Sequence, residues 1–139
     1  MRKGKVFRAG MLIGMAGSVS AGPVLPTGGT VVAGGATIGV TATRVDVVQT
    51  TSRSVINWTS FSIGTGGTVQ FTQPATTSAV LNRVTGADPS SILGTLSANG
   101  QVFLMNPNGI TVGPGGRVET AGLVLTTASI ADGDFMAGL

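Results

Sequence analysis

The stretch QVFLMNPNGITVGPGG, residues 101–116, shows in miniature the pattern from which the fold is predicted. Two short strand-forming runs, QVFLM and ITV, flank the tetrapeptide Asn-Pro-Asn-Gly. Asn106 can accept a hydrogen bond from the backbone two residues later, and Pro107 fixes its own φ near about −65°. Asn108 suits the next turn position, and Gly109 can adopt the positive φ that a following G1 bulge requires. Local chemistry therefore predicts a tight turn between two strands.

The same alternation of short strand and turn continues through the chain from residue 30. Thr and Val dominate the runs, and no sustained helical period is present beyond the first 21 residues, which indicates an all-β protein. Gly, Asn, Asp, Pro and Ser punctuate the runs. The predicted strands are residues 30–33, 36–42, 44–49, 54–58, 61–63, 68–71, 78–84, 91–96, 101–105, 110–112, 117–119 and 123–130.

Many short strands are compatible with a sandwich, a barrel or a β-solenoid, and three observations favour the solenoid. Asn57, Asn82 and Asn106 interrupt or close apolar runs at gaps of 25 and 24 residues. The segments GTGGTV (64–69) and GPGGRV (113–118) repeat one pattern of turn followed by strand. Aromatic residues make up only 4% of a chain with 23 glycines, which suits thin coils whose layers stack.

The first 21 residues have the pattern of a secretory signal peptide. Basic residues precede the apolar stretch AGMLIGMAGSVSA (9–21), and small residues at 19 and 21 predict cleavage between Ala21 and Gly22. We therefore expect a signal peptide at 1–21 and one domain at 22–139. The basic residues of this segment are Arg2, Lys3, Lys5 and Arg8.

The net charge of +3 is positive because this segment carries four basic residues and no acidic one. The remainder has four arginines, no lysine and five carboxylates, a net charge of −1, so nucleic-acid binding is not expected. The chain also has no cysteine. That is compatible with a chain that stays unfolded until it has crossed a second membrane, and equally with a β domain that needs no disulfide.

Catalytic and cofactor-binding chemistry has few candidates. The chain has no His, Cys or Tyr, and no lysine is left after residue 21 to activate a Ser or Thr. The glycine-rich turns lack the spacing and the following helix of a nucleotide-binding loop. Asp132 and Asp134 form the only close acidic pair, and a lone Asp-x-Asp is common in loops. We predict no enzyme, no cofactor and no metal site.

The tripeptide Asn57-Trp58-Thr59 fits the glycosylation pattern Asn-x-Ser/Thr. A tryptophan at its centre indicates a buried strand rather than a surface loop. We therefore interpret it as part of the core.

Taken together, INW and FSI (56–63), VQF.QP (69–74), SAVLNRVTG (78–86), GQVFLMNPNGI (100–110) and GLVLTTASI (122–130) resemble the N-terminal secretion domain of the filamentous-haemagglutinin family of two-partner secretion exoproteins. The similarity extends from about residue 30 to residue 139. Some members carry an additional, earlier Asn-Pro-Asn-Leu motif. This chain has only the later motif, which makes it more similar to the high-molecular-weight adhesin and haem-binding branches.

The resemblance implies a right-handed parallel β-helix with an N-terminal β cap and extra-helical hairpins. It implies export through the general translocon, then recognition in the periplasm of a Gram-negative bacterium by a dedicated outer-membrane β-barrel transporter with periplasmic domains. The product would be secreted or held at the cell surface. The signature turn needed for secretion would be Asn106, Pro107, Asn108, Gly109 and Ile110, and whether it contacts the transporter or only preserves the fold stays open.

The sequence thus predicts a secretion-targeting and folding-nucleus domain of an adhesin-like or haemagglutinin-like protein. Because the family continues with further coils after DFMAGL, we expect residues 22–139 to be the N-terminal part of a longer exoprotein, whose other regions would bind host-cell or glycan ligands. Two alternatives stay open. A carbohydrate-active β-helix enzyme would need Asp46, Asp88 and Glu119 to converge, and a direct glycan-binding or host-binding adhesin module would need no cluster.

Overall fold

The computed structural model describes residues 22–138, so the predicted signal peptide with Ala21, and also Leu139, lie outside the described residues. The described chain has twelve short strands and one helical turn. The strands are β1 (Thr30–Ala33), β2 (Ala36–Val40), β3 (Arg44–Gln49), β4 (Arg53–Trp58), β5 (Thr68–Thr72), β6 (Ala79–Val84), β7 (Ser90–Ile92), β8 (Thr95–Ala98), β9 (Gln101–Met105), β10 (Ile110–Val112), β11 (Arg117–Glu119) and β12 (Gly122–Thr126), and the helix is α1 (Asp132–Met136).

The strands stack into a β-solenoid of about four coils. One sheet has the order β1-β4-β6-β9-β12, a second has the order β11-β8-β5-β3-β2, and β10 pairs with β7 on the third side. The pairs between coils are parallel, whereas β1–β4 and β2–β3 are antiparallel. The predicted all-β solenoid is confirmed.

The core inside the solenoid is closely packed because strands of successive coils place apolar residues at the same register. Val45 pairs with Val69, Val69 pairs with Leu96, and all three side chains are fully buried. Within the first coil, the rings of Trp58 and Phe61 meet edge to face at 5.5 Å. These inward rows alternate with outward polar residues, as expected for strands with one buried face.

The nearly equal spacing of Asn57, Asn82 and Asn106 in the sequence does not place them in one row, although the solenoid that it favoured is present. Asn57 pairs with Arg83, and Asn82 pairs with Leu104 rather than with Asn106. Corner turns differ in length from coil to coil, so the repeat is not constant. In the second sheet Arg44 aligns with Thr68, then Thr95, then Arg117, which gives repeats of 24, 27 and 22 residues.

The two glycine-rich turns are equivalent corners, as predicted. Gly67 N–H donates to the Gly64 carbonyl at 2.9 Å, and Gly116 N–H donates to the Gly113 carbonyl at 3.0 Å. The third residue of each turn, Gly66 or Gly115, has a positive φ of 87° or 82°. Both turns lead directly into a strand of the second sheet.

Four predicted strands do not match the structure, the first being the run 36–42, which ends at Val40. The run 91–96 divides at a corner into β7 and β8, and the run 123–130 ends at Thr126. The run 61–63 forms only an isolated parallel bridge at Ile63. Helix α1 was not predicted, because five residues are too few to show a helical period.

The two ends of the solenoid differ. The N-terminal end is closed on three sides by β1, by β2 and by residues 24–27, where the Val24 carbonyl accepts from Gly64 N–H at 2.8 Å. This is the expected N-terminal β cap. The opposite end exposes inward-facing Val112, Leu123 and Leu125 by 43%, 36% and 38%. Within residues 22–138, no helix is long and apolar enough to cross a membrane.

A row of buried amides fills the corner between the first two sheets. Gln49 Nε2 donates to the Ala79 carbonyl at 3.0 Å, and Gln73 Nε2 donates to Gln49 Oε1 at 3.2 Å. Gln73 Oε1 in turn accepts from Gly100 N–H at 2.8 Å. Three consecutive coils are thus tied through one glutamine side chain.

We expect Gln73→Leu to destabilise the domain strongly, because the change keeps side-chain volume but leaves the Gly100 N–H and Gln49 Oε1 without a buried partner. Each orphaned group costs about 1–3 kcal/mol. Urea unfolding of the domain measures the loss. Gln70→Leu, on the outward face of β5, is the matched control and should change stability by no more than about 0.5 kcal/mol. Equal losses in the two variants would contradict this role for Gln73.

Candidate functional site: the Asn-Pro-Asn-Gly turn

The candidate site is the turn at residues 106–109, which joins β9 to β10. These two strands belong to different sheets and do not pair with each other. The turn is therefore a corner of the third coil rather than a hairpin, and the predicted G1 bulge is absent because it requires two paired strands. The prediction of a tight turn is nevertheless correct, since Gly109 N–H donates to the Asn106 carbonyl at 3.1 Å.

Asn106 is the centre of the site and is fully buried. Its Oδ1 accepts from the backbone N–H of Asn108 at 2.9 Å, as the local sequence predicted. Its Nδ2 donates to the Asp88 carbonyl and to Ser90 Oγ, both at 2.9 Å. Both ends of the amide are therefore satisfied, one by the turn itself and one by the preceding coil.

The other turn residues extend this attachment to the preceding coil. Asn108 Nδ2 donates to the Gly86 carbonyl at 2.9 Å, and Ser90 N–H donates to the Gly109 carbonyl at 2.9 Å. Gly109 has a φ of 111°, a conformation that other residues rarely adopt. Ile110 packs against the core below the turn. The turn is thus bound to the segment 86–90 at several points.

Burial divides the turn into two classes of residue. Asn106 has no exposed surface, whereas Pro107 and Asn108 are exposed and Gly109 and Ile110 are half-buried. A partner that binds the folded domain can therefore touch Pro107 and Asn108 but not the Asn106 side chain. No ionisable side chain belongs to the turn, so any recognition there relies on shape and hydrogen bonding.

The carboxylates needed for a glycosidase-like site do not converge. Asp46 and Glu119 occupy the same outward row of the second sheet but are three strand spacings apart, about 14 Å. Each forms an ion pair within its own strand, with Arg44 or Arg117. The hydrogen bond from Arg44 holds the pKa of Asp46 below its ordinary value. Asp88 lies in the segment before β7, in neither of these strands.

Asp132 of the acidic pair and Asn57 of the glycosylation tripeptide are both bonded to Arg83, whereas Asp134 is exposed. The Asp132 carboxylate accepts from the Arg83 guanidinium, and Asn57 Oδ1 accepts from the same guanidinium at 2.9 Å. Trp58 is buried in β4, in agreement with its interpretation as a core residue. Among residues 22–138, no group of three or more His, Cys, Asp or Glu side chains could hold a metal ion.

Sequence reasoning missed the groups that hold the turn from outside it. Ser90 and the Gly86 carbonyl lie 16 and 22 residues from their asparagine partners, and nothing in their local sequence marks them. The bonding role of Arg83, which lies in the apolar run SAVLNRV, was not predicted either. Because a buried charge needs a specific partner, the position of Arg83 within an apolar strand would have predicted that its guanidinium is bonded.

Comparison with known proteins decides the family. Residues 23–139 match the family described as the TPS secretion domain. The chain belongs to this family.

The relatives of this TPS secretion domain include two heme/hemopexin-binding proteins of Haemophilus influenzae. One is 42% identical over 106 residues, covering 76% of this chain and 12% of the relative. The other is 40% identical over 90 residues, covering 65% and 10%. The crystal structure of the HMW1 secretion domain from Haemophilus influenzae superposes with a TM-score of 0.76 at 38% identity, covering 81% of this chain and 30% of that one.

Membership confirms the resemblance seen in the sequence and is consistent with the HMW1-like branch. TPS secretion domains belong to two-partner systems, in which Gram-negative bacteria secrete an exoprotein through a dedicated outer-membrane transporter. The chain is therefore the secretion-targeting domain of a two-partner exoprotein. It spans only about an eighth of the length of the first relative.

We expect Asn106→Ala to lower the free energy of unfolding by more than Asn108→Ala. The first change removes a buried amide and leaves the Asp88 carbonyl and the Asn108 N–H without that partner, at about 1–3 kcal/mol. The second removes an exposed side chain and should cost about 1 kcal/mol or less. Thermal or urea unfolding of the two purified variants measures the difference. An Asn108→Ala loss as large as that of Asn106→Ala would contradict the assignment of Asn106 as the centre of the turn.

Proposed function

We propose that this domain serves as the periplasmic secretion signal of an adhesin-like exoprotein and, at the cell surface, as the nucleus on which the rest of that exoprotein folds. The observation that carries the second part is the difference between the two ends of the solenoid. At one end the antiparallel strands β1 and β2 cover the first coil, although they are the outermost strands there and Val40 of β2 is 63% exposed. At the other end the parallel strands β11 and β12 are outermost, and inward-facing Leu123 and Leu125 are partly exposed.

The open end has the properties of a template for a further coil. Among residues 22–138, strands β11 and β12 each pair on one side only, so their outer backbone groups can pair with a further strand. A shallow cavity of about 300 Å³ at this end is lined by Ile110, Leu125, Thr126 and Thr127. A solenoid extends by adding one coil to its neighbour, and a pre-formed coil removes the cost of nucleation. Folding of later coils outside the cell would then favour outward transport.

The Asn-Pro-Asn-Gly turn would act in this process mainly by stabilising the third coil. Burial of Asn106 and its three bonds to the preceding coil and to the turn support that role. Exposed Pro107 and Asn108 are the turn positions available to the transporter, and contact there would be secondary. Gly109 and Ile110 complete the turn geometry and its packing.

The proposed route begins with the signal peptide at 1–21, which directs the chain to the general export translocon. Cleavage between Ala21 and Gly22 would release residues 22–139 into the periplasm, where the periplasmic domains of the outer-membrane β-barrel would bind them. The mature product would be secreted or held at the cell surface. We propose that host-cell or glycan binding resides in parts of the exoprotein beyond this domain, and that the domain itself is not an enzyme.

Co-expression of the full chain with and without its outer-membrane transporter tests the targeting role. We expect the mature domain to reach the medium only when the transporter is present, because the general translocon delivers proteins no further than the periplasm. Equal amounts in the medium without the transporter would contradict the proposal. A periplasmic reporter protein measured in the same samples controls for leakage.

The role of the turn is tested by comparing secretion with stability across three variants. We expect Asn106→Ala and Gly109→Val to lower both together, with Gly109→Val the more severe because a β-branched residue is strongly disfavoured at a φ of 111°. Pro107→Ala is the exposed control and should retain most of both properties. An Asn106→Ala domain with unchanged unfolding that is not exported would show that the transporter reads this side chain.

A further inference from the structure

The chain leaves the solenoid after Thr126 and turns back across its outer surface. The Ile130 N–H donates to Met105 Sδ in β9 at 3.2 Å. Arg83 in β6 donates to the Ile130 carbonyl at 2.8 Å, and Arg53 Nε in β4 donates to the Phe135 carbonyl at 2.6 Å. Residues 127–138, here called the strap, therefore cross the third, second and first coils in that order, against the direction in which the coils stack.

Phe135 anchors the strap at the first coil. Its side chain is only 2% exposed and packs in a second cluster, separate from the core inside the solenoid. The ring meets Phe103 edge to face at 5.2 Å, and the Arg53 guanidinium lies 4.5 Å above its centroid. The other buried members of this cluster, all from the outward face of the first sheet, are Val55, Ala79, Leu81 and Met105.

Arg83 anchors the middle of the strap. Its side chain is 18% exposed, and it donates to Asn57 Oδ1, to the Ile130 carbonyl and to the Asp132 carboxylate. A guanidinium among apolar side chains needs such partners, because burying it without them is costly. Two of the three partners belong to the strap, so removal of the strap would leave Arg83 with Asn57 alone.

We propose that the strap is a locking element that closes over the stacked coils and makes the first three coils and the cap unfold as one unit. Coils that contact only their neighbours can fray one at a time from either end of the stack. A segment that joins the third coil to the first opposes such fraying, because the first coil cannot open while Phe135 stays in its pocket. Opening of the strap therefore precedes loss of β4. This inference rests on the packing of residues 127–138 and is independent of the proposed role in secretion.

The test is hydrogen exchange by the β4 and β6 amides of the mature domain, together with its unfolding rate. We expect Phe135→Ala to raise the exchange rates of these amides and the unfolding rate by about tenfold or more, because a buried aromatic side chain and its cation contact are lost. Arg53→Met should act in the same direction, and the double variant should lose less than the sum of the two single effects.

Two matched control variants distinguish a specific effect of the strap from the general effect of removing a side chain. Arg117→Met removes an exposed arginine whose ion pair with Glu119 lies within its own strand, and Leu123→Ala trims an apolar side chain at the open end. Both should leave exchange at β4 and β6 unchanged. If Phe135→Ala does not fold, the milder change Asp132→Asn replaces it. This change removes the ion pair with Arg83 but keeps an acceptor oxygen and the side-chain volume, so exchange at β4 and β6 should speed up by a smaller factor.

Exchange that speeds up only within residues 127–138 of the Phe135→Ala domain, with β4 and β6 unchanged, would overturn the proposal. The strap would then be an appended segment that folds and unfolds on its own. Unchanged exchange at β4 and β6 in the Asp132→Asn domain would likewise overturn the part assigned to Arg83. Neither result would bear on export through the transporter, so the two proposals can fail separately.

Discussion

Each strand of the solenoid depends on hydrogen bonds to the strands of the coils before and after it. Parallel stacking satisfies the backbone of every inner coil and buries one face of every strand, but it leaves the first and last coils with one unpaired edge each. At the first coil, β1, β2 and residues 24–27 fill that edge. At the last coil the edge remains open, and this difference gives the domain a direction.

The same constraint explains why the corners hold buried amides. A chain that changes direction at each corner leaves carbonyl and N–H groups that no strand can pair. Gln73 meets this need between the first and second sheets, and Asn106 meets it after β9. In both cases the side chain bonds to backbone from a neighbouring coil. The turn at 106–109 has the sequence of a local motif, but it is also a contact between two coils. Its hydrogen bonds therefore contribute to the stability of the whole solenoid.

Local chemistry was sufficient to predict most strands, the two glycine corners and the bond from Asn108 N–H to Asn106 Oδ1. These features depend on residues within a few positions of one another. The spacing of the three asparagines favoured the solenoid but does not reflect a shared row, because register depends on corner lengths that vary between coils. Other contacts join residues that are far apart in the chain. Examples are the hydrogen bonds from Asn106 to Asp88 and Ser90 and the packing of Phe135 against Arg53. No local pattern encodes such pairs, although Arg83 within an apolar run indicated that a partner was needed.

Hydrogen exchange on the unmodified domain tests directly whether the solenoid has one capped end and one end that can template a further coil. The amides to compare are those of β1 and β2 bonded to the first coil and those of β11 and β12 bonded to the third. We expect slower exchange at the capped end, because β1 and β2 cover the first coil there while Leu123 and Leu125 at the other end are partly exposed. Faster exchange in β1 and β2 than in β11 and β12 would contradict it.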